Sequence, residues 1–136
     1  MSASHDPVQE YLVERGCAEH VVSGGLEGLL DAWETFAKAL GKGYAHGLDD
    51  YLNDLDARQI LADAWVKASP AQRSALQPRL QAADRRVRTA TSTSEVCLWG
   101  SKIAKRERYT AEANWWYYAV PKKPAPALRA ELEKVR

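Results

Sequence analysis

The sequence predicts an all-α fold, a mainly helical orthogonal bundle of about six helices, with a short β-hairpin or extended segment near residues 115–120. Three observations predict it. Helix-start signals recur at Asp6, Asp56, Ser69 and Ser94. Between them, apolar residues return at helical steps of three and four. The longest apolar run, Trp115 to Val120, is instead a block of consecutive aromatics that loads two faces of whatever element carries it.

Asp6-Pro7-Val8-Gln9 reads as an N-cap, a proline at the first helical position and a capping-box glutamine. Val8, Tyr11 and Leu12 form the apolar face, and Gly16 suits the left-handed residue that closes the helix. Cys17 to Val22 reads as a short turn and Ser23-Gly24-Gly25 as a chain break. Leu26, Leu29, Leu30, Trp33, Ala37 and Leu40, with Phe36 widening the stripe, make a core helix that stops at Gly41-Lys42-Gly43. Leu48, Tyr51, Leu52 and Leu55 then share one face, while Ile60, Leu61, Ala64 and Trp65 fall on nearly the opposite one. A break near Asp56 reconciles the two, with Asp56 as N-cap, Gln59 as its box partner, and Leu55 and Ile60 as a hydrophobic staple.

Ser69-Pro70-Ala71-Gln72 repeats the first start signal. Leu76, Leu80, Ala83, Val87 and Ala90 follow as the seam of a packed helix, which Pro78 interrupts with a kink or a fresh start. Thr91-Ser92-Thr93-Ser94 is a polar stop; Ser94 caps a helix carrying Val96, Trp99 and Ile103, and Thr110 caps a turn leading into the aromatic run. Residues 121–126 form a Pro- and Lys-rich bend before a terminal helix with Leu128, Leu132 and Val135. The expected core holds Leu30, Trp33, Leu52, Leu61, Trp65, Leu80 and Val87. A chain of 136 residues fits one domain, residues 1–136, large enough to fold without staples.

Hydrophobic content of 46% and charge of 27% are ordinary for a globular chain, but the charge is unevenly placed. Residues 1–68 hold 12 acids and 5 bases, residues 69–136 hold 6 acids and 14 bases, so a −7 half is joined to a +8 half. Two halves folding against each other explain such a split, and so does a partner for one of them. No apolar leader is visible in Met1–Gly16, no run approaches the roughly 18 residues of a membrane span, and there are two cysteines, Cys17 and Cys97. A cytoplasmic protein with reduced thiols and no membrane association is expected. Abundant alanine, with arginine outnumbering lysine, fits a GC-rich bacterial source.

Candidate chemistry is sparse. His46, Asp50 and Asp54 are spaced at four, so they line one helical face and could ligate a divalent metal for hydrolysis. Against that, Asp49 suits a helix N-terminus, Asp56 suits the cap of the next helix, and the remaining acids lie opposite Tyr51, Leu52 and Leu55, where a solvated face belongs. Cys17 and His20 are three apart without the paired spacing of a zinc site. Phosphate-loop and nucleophile-elbow patterns are missing. Basic stretches at Arg85, Arg86 and Arg88, at Lys102, Lys105, Arg106 and Arg108, and at Lys122-Lys123 could hold phosphates beside stacking tryptophans. A near-neutral total charge of +1 argues the other way.

Tyr11 to Cys17, Val21 to Leu26, Gly47 to Asp56 and Asn114-Trp115-Trp116-Tyr117 resemble segments of small uncharacterised bacterial proteins. The resemblance covers most of the chain and implies no activity and no site residue. The leading expectation is a non-enzymatic interaction or regulatory protein, immunity- or antitoxin-like, without a cofactor. It binds a protein partner through Trp115, Trp116, Tyr117 and Tyr118 or through Asp49, Asp50 and Asp54, and is compatible with a homodimer. Nucleic-acid binding through the basic half is the first alternative, and a metal-assisted hydrolase at His46, Asp50 and Asp54 the second.

Overall fold

A computed structural model describes residues 5–135. Among them the chain is mainly α-helical, with six α-helices, one 3-10 turn and a two-stranded antiparallel ribbon. In order these are α1 (Pro7–Glu14), α2 (Glu19–Lys42), α3 (Leu48–Lys67), α4 (Pro70–Thr89), β1 (Thr91–Thr93), α5 (Ser101–Glu107), the 3-10 turn Trp115–Tyr118, β2 (Ala119–Pro121) and α6 (Pro126–Val135). The ribbon pairs Thr91 with Pro121, Ser92 with Val120 and Thr93 with Ala119. The extended segment expected near 115–120 is therefore present at its C-terminal end, and the aromatics before it coil into the 3-10 turn.

Both capping boxes form as expected. The Gln9 N–H donates to Asp6 Oδ1 at 2.8 Å, and the Gln72 N–H donates to Ser69 Oγ at 3.1 Å. Gln72 Nε2 also donates to Asp6 Oδ2 at 3.1 Å, so the two boxes tie the starts of α1 and α4 together. At the end of α1, the N–H groups of Gly16 and Cys17 donate to the carbonyls of Val13 and Leu12, the paired bonds that close a helix through a left-handed residue.

Three expectations are corrected. The Cys17–Val22 segment is not a turn throughout, since it is helical from Glu19 onward; the break expected at Ser23-Gly24-Gly25 is present as a sharp kink at Gly25, where φ 59° and ψ −152° interrupt the helical backbone in a conformation only glycine adopts readily. No break occurs at Asp56. The helix α3 continues from Leu48 to Lys67, because neighbours cover both of its apolar faces: α1, α2, α6 and the 3-10 turn all pack on it. Asp56 instead accepts hydrogen bonds from Tyr117 Oη at 2.6 Å and Trp99 Nε1 at 3.1 Å. Ser94 caps a turn rather than a helix, accepting from the Val96 N–H at 3.0 Å, and α5 starts only at Ser101. Pro78 lies on the exposed side of α4, which passes through it without a fresh start.

The core is one cluster centred on α2. Leu30, Trp33, Leu52, Leu61 and Val87 are buried in it as expected, with Trp65 and Leu80 half-buried at its margin. Trp33 stacks on Phe36 at 5.1 Å between ring centroids and meets Trp115 edge-on at 6.3 Å. The side chain of Arg58, only 8% exposed, crosses this core. Its Nε and Nη2 donate to Asp84 Oδ1 and Oδ2 at 3.1 and 3.0 Å, and its guanidinium carbon lies 4.4 Å from the Trp116 ring centroid. Trp33 Nε1 donates to the same Asp84 Oδ1 at 2.8 Å.

Asp84→Ala strips a buried cation and a buried indole of their acceptor at once. It is expected to lower stability by about 3–5 kcal/mol, read as the free energy of urea unfolding; a loss under about 1 kcal/mol would show that the pair is solvated. Trp116 tests the aromatic packing. Its Nε1 is buried without a hydrogen-bond partner, so Trp116→Phe keeps a ring over Arg58 and removes an unsatisfied donor. It should cost much less than Trp116→Ala, for which about 3–5 kcal/mol is expected.

Candidate functional site

The aromatic run is largely core. Trp116, Tyr117 and Tyr118 are buried, and Trp115 is half-buried with Arg88 stacked 4.0 Å from its ring centroid. A 3-10 turn places successive side chains about 120° apart, so the two alternating faces expected of an extended run do not arise. Burial pushes the Tyr117 hydroxyl well above its ordinary value, and the hydrogen bond to Asp56 adds to the rise. The three buried side chains leave Trp115 as the partly accessible member of the run.

The acidic face divides as well. Asp49 and Asp50 are exposed in the first turn of α3. Asp54 is half-buried and accepts from Tyr44 Oη at 2.6 Å, while the exposed His46 stands edge-on to Tyr44 at 5.6 Å. Among the described residues, no three His, Cys, Asp or Glu side chains are grouped to hold a metal ion. The shared helical face of His46, Asp50 and Asp54 is therefore not a ligand set: His46 precedes α3, and Asp54 is engaged by a phenol. Both cysteines are free thiols, Cys97 buried and Cys17 half-buried.

The site that the fold does assemble is a cleft of about 600 Å³ between the C-terminal ends of α2 and α4 and the bend at 122–123. Most of its lining is carbon: Gly41 and Ala90 are open to it, while Ala37 and Leu40 lie almost wholly covered at its floor. Lys38 and Lys42 from α2, Arg85 and Arg86 from α4, and Lys122 and Lys123 from the bend surround that floor, with no carboxylate among the lining residues. All six are exposed, and none makes a salt bridge within 4.0 Å among the described residues. Thr89 completes the wall.

Backbone hydrogen bonds join the three sides. The Lys122 N–H donates to the Ala90 carbonyl at 2.9 Å, extending the ribbon onto the end of α4. The Tyr44 N–H donates to the Lys123 carbonyl at 3.0 Å, and the Ala125 N–H returns to the Tyr44 carbonyl at 2.9 Å. Gly43, at φ 111°, supplies the backbone conformation of this turn, which a residue with a Cβ would hold only under strain. Tyr44 is in turn pinned to α3 through Asp54.

The neighbouring surface of α2 carries the opposite charge. Glu27, Asp31 and Glu34 converge on Arg79, whose Nη2 donates to Asp31 Oδ1 and Glu34 Oε1 at 2.6 Å and whose Nη1 donates to Glu27 Oε1 at 3.1 Å. The hydrogen bond from Arg79 holds the Glu34 carboxyl below its ordinary value, with Lys38 and Arg86 adding to the pull. One turn further on, Lys38 and Lys42 begin the cationic wall. Of the basic residues singled out in the sequence, Arg85, Arg86, Lys122 and Lys123 reach the cleft. Arg88 covers Trp115, and Lys102, Lys105, Arg106 and Arg108 lie on or just after α5, outside the lining. Lys38 and Lys42 were not among those residues; the signal that could have found them is a stripe of charge at 27, 31, 34, 38 and 42 that changes sign along one helix face.

Compared with protein-family models, curated proteins and solved structures, the chain matches none. Among the described residues, no helix is long and apolar enough to cross a membrane.

Burial raises the Asp54 carboxyl above its ordinary 3.8, and nearby Asp50 adds to the rise against the opposing Tyr44 bond. A folded-state value above the unfolded one means that Asp54 contributes most below pH 3.8 and that this is lost as pH climbs through the folded value. Asp54→Asn keeps an acceptor for Tyr44 and does not titrate. Its stability relative to wild type should therefore rise between about pH 3 and 7, measured as paired urea-unfolding free energies; a pH-independent difference would contradict the buried carboxyl.

Proposed function

We propose that the protein is a non-enzymatic interaction protein that binds a polyanionic macromolecule in the cleft between α2, α4 and the 122–123 bend. The observation that carries this reading is the convergence of six cations from three chain segments on one carbon-floored cleft without a carboxylate in its lining. Such a concentration of one sign raises the local density of an oppositely charged partner and speeds its encounter. The long-range charge asymmetry of the chain supports it: the basic half supplies Arg85, Arg86, Lys122 and Lys123, and α2 contributes Lys38 and Lys42 from the acidic half. The reading shifts the expected binding surface away from the aromatic run and from Asp49, Asp50 and Asp54.

A nucleic acid would use the same cations, as the basic-half alternative supposes. A charge-matched pair of variants locates the site for either partner. Neutralising Lys38, Arg85 and Arg86 to Gln removes three cations from the cleft, and neutralising Lys102, Lys105 and Arg106 removes three from α5. All are exposed, so neither variant should move stability by more than about 0.5 kcal/mol each site. On immobilised heparin the cleft variant should elute at clearly lower salt than wild type, and the α5 variant close to wild type. Equal shifts in the two would mean that total charge, not the cleft, sets retention.

A further inference from the structure

We infer that the occupant of the cleft is a short acidic, amphipathic helical segment of a protein partner. This rests on the reading of the cleft as a polyanion site and narrows it to one class of ligand. The floor decides against a bare chain of charges. Most of the exposed lining is carbon, with Gly41 and Ala90 the open apolar positions, and against carbon a phosphate or an isolated carboxylate loses water without gaining a hydrogen bond. No aromatic side chain lines the cleft, so a nucleobase finds no ring to stack on.

The surroundings decide against a long polyanion. A nucleic acid needs a cationic track for successive phosphates. Here the track ends within one turn of α2, where Lys38 gives way to Glu34, Asp31 and Glu27. A segment confined to the cleft avoids that acidic stripe. An amphipathic helix meets both demands: apolar side chains at three- and four-residue spacing reach the floor, and carboxylates on its flanks face Lys38 and Lys42 on one side and Arg85 and Arg86 on another. Lys122 and Lys123 close the third side. At about 600 Å³ the cleft seats a few side chains of such a helix and leaves its outer face free.

Gly41 allows the floor to be tested apart from the cations. A Cβ added there meets nothing within 4 Å, and its backbone is not in the left-handed region. Gly41→Phe therefore adds bulk to the lining where a Cβ is unobstructed, and melting temperature checks that the fold is kept. Three labelled probes are titrated by fluorescence anisotropy at fixed salt: a helical peptide with glutamates flanking a leucine face, a polyglutamate peptide of equal charge, and a single-stranded oligonucleotide of equal charge. Wild type should bind the amphipathic peptide at least about tenfold tighter than polyglutamate, the return expected from burying one aliphatic side chain. Gly41→Phe should erase that advantage, bringing the amphipathic peptide to the affinity of polyglutamate measured on the same variant. Lys38→Gln with Arg86→Gln should weaken both peptides.

Polyglutamate binding as tightly as the amphipathic peptide would overturn the inference, because the floor would then contribute nothing. An oligonucleotide binding tighter than either peptide would overturn it in favour of a nucleic-acid partner. If no probe binds, or if the Lys38 and Arg86 changes have no effect on any probe, the underlying reading of the cleft as a polyanion site falls with it.

Discussion

Arg58 places a permanent positive charge where little water reaches it, and the rest of the bundle is arranged around that charge. Desolvating a guanidinium costs several kcal/mol unless a partner takes up its donors. Asp84 does so with both oxygens, in the two-pronged geometry that suits this side chain. The faces of Trp116 and Trp33, with centroids 4.4 and 5.7 Å from the guanidinium carbon, supply the remaining environment. Four segments meet in this arrangement: α2 through Trp33, α3 through Arg58, α4 through Asp84 and the 3-10 turn through Trp116. None of these contacts is local in sequence, so together they set the rotation of α4 against α2. That rotation brings Arg85 and Arg86, which follow Asp84 directly, to the side facing Lys38 and Lys42. The pair in the core and the cations in the cleft thus lie on successive residues of one helix turn.

The aromatic run completes the same scheme from the other side of α3. Tyr117 stacks on Tyr109 at 4.4 Å and donates to Asp56, while Trp99 donates to the same carboxylate oxygen. Tyr51 donates to the Ala119 carbonyl. Each phenol or indole that enters the core brings a polar tip, and each of these tips finds a partner on another element. Trp116 Nε1 is the exception. Its ring lies beneath a cation, and that geometry spends the π-face on Arg58 while leaving the N–H without an acceptor.

What was legible in the sequence is what depends on neighbours in the chain. Both proline-led capping boxes, the closing turn at Gly16, the end of α2 at Gly43 and the buried stripe from Leu26 to Leu40 follow from spacing within a few residues, and each formed as expected. Asp56 shows where such reading ends. Its surroundings resemble an N-cap, but its partner Tyr117 lies 61 residues away, and the two apolar faces of α3 conflict only for a helix with one buried side. The same limit hid the cleft. Arg85, Arg86, Lys122 and Lys123 were visible as basic stretches, but nothing local aligns them with Lys38 and Lys42. That alignment comes from α2 and α4 running side by side and from the ribbon bonds that fold residues 122–125 back onto both.

The charge along α2 separates what the fold uses from what it leaves over. At Glu27, Asp31 and Glu34, three acids on one stripe would repel each other, and Arg79 from α4 answers all of them. Exposed ion pairs of this kind add little stability individually, but a network shares the ordering cost of a single arginine. One turn later the ion pairs stop: Lys38 faces Glu34 only at a distance, and neither Lys38 nor Lys42 has a salt bridge among the described residues. Repulsion among six like charges opposes folding, and a chain with 18 acidic residues has ample means to offset it. Lys122 and Lys123 are held in that repulsive setting by backbone hydrogen bonds on either side. The cleft therefore keeps its six cations together without an ion pair among the described residues, whereas the aromatic run has most of its surface committed to the core.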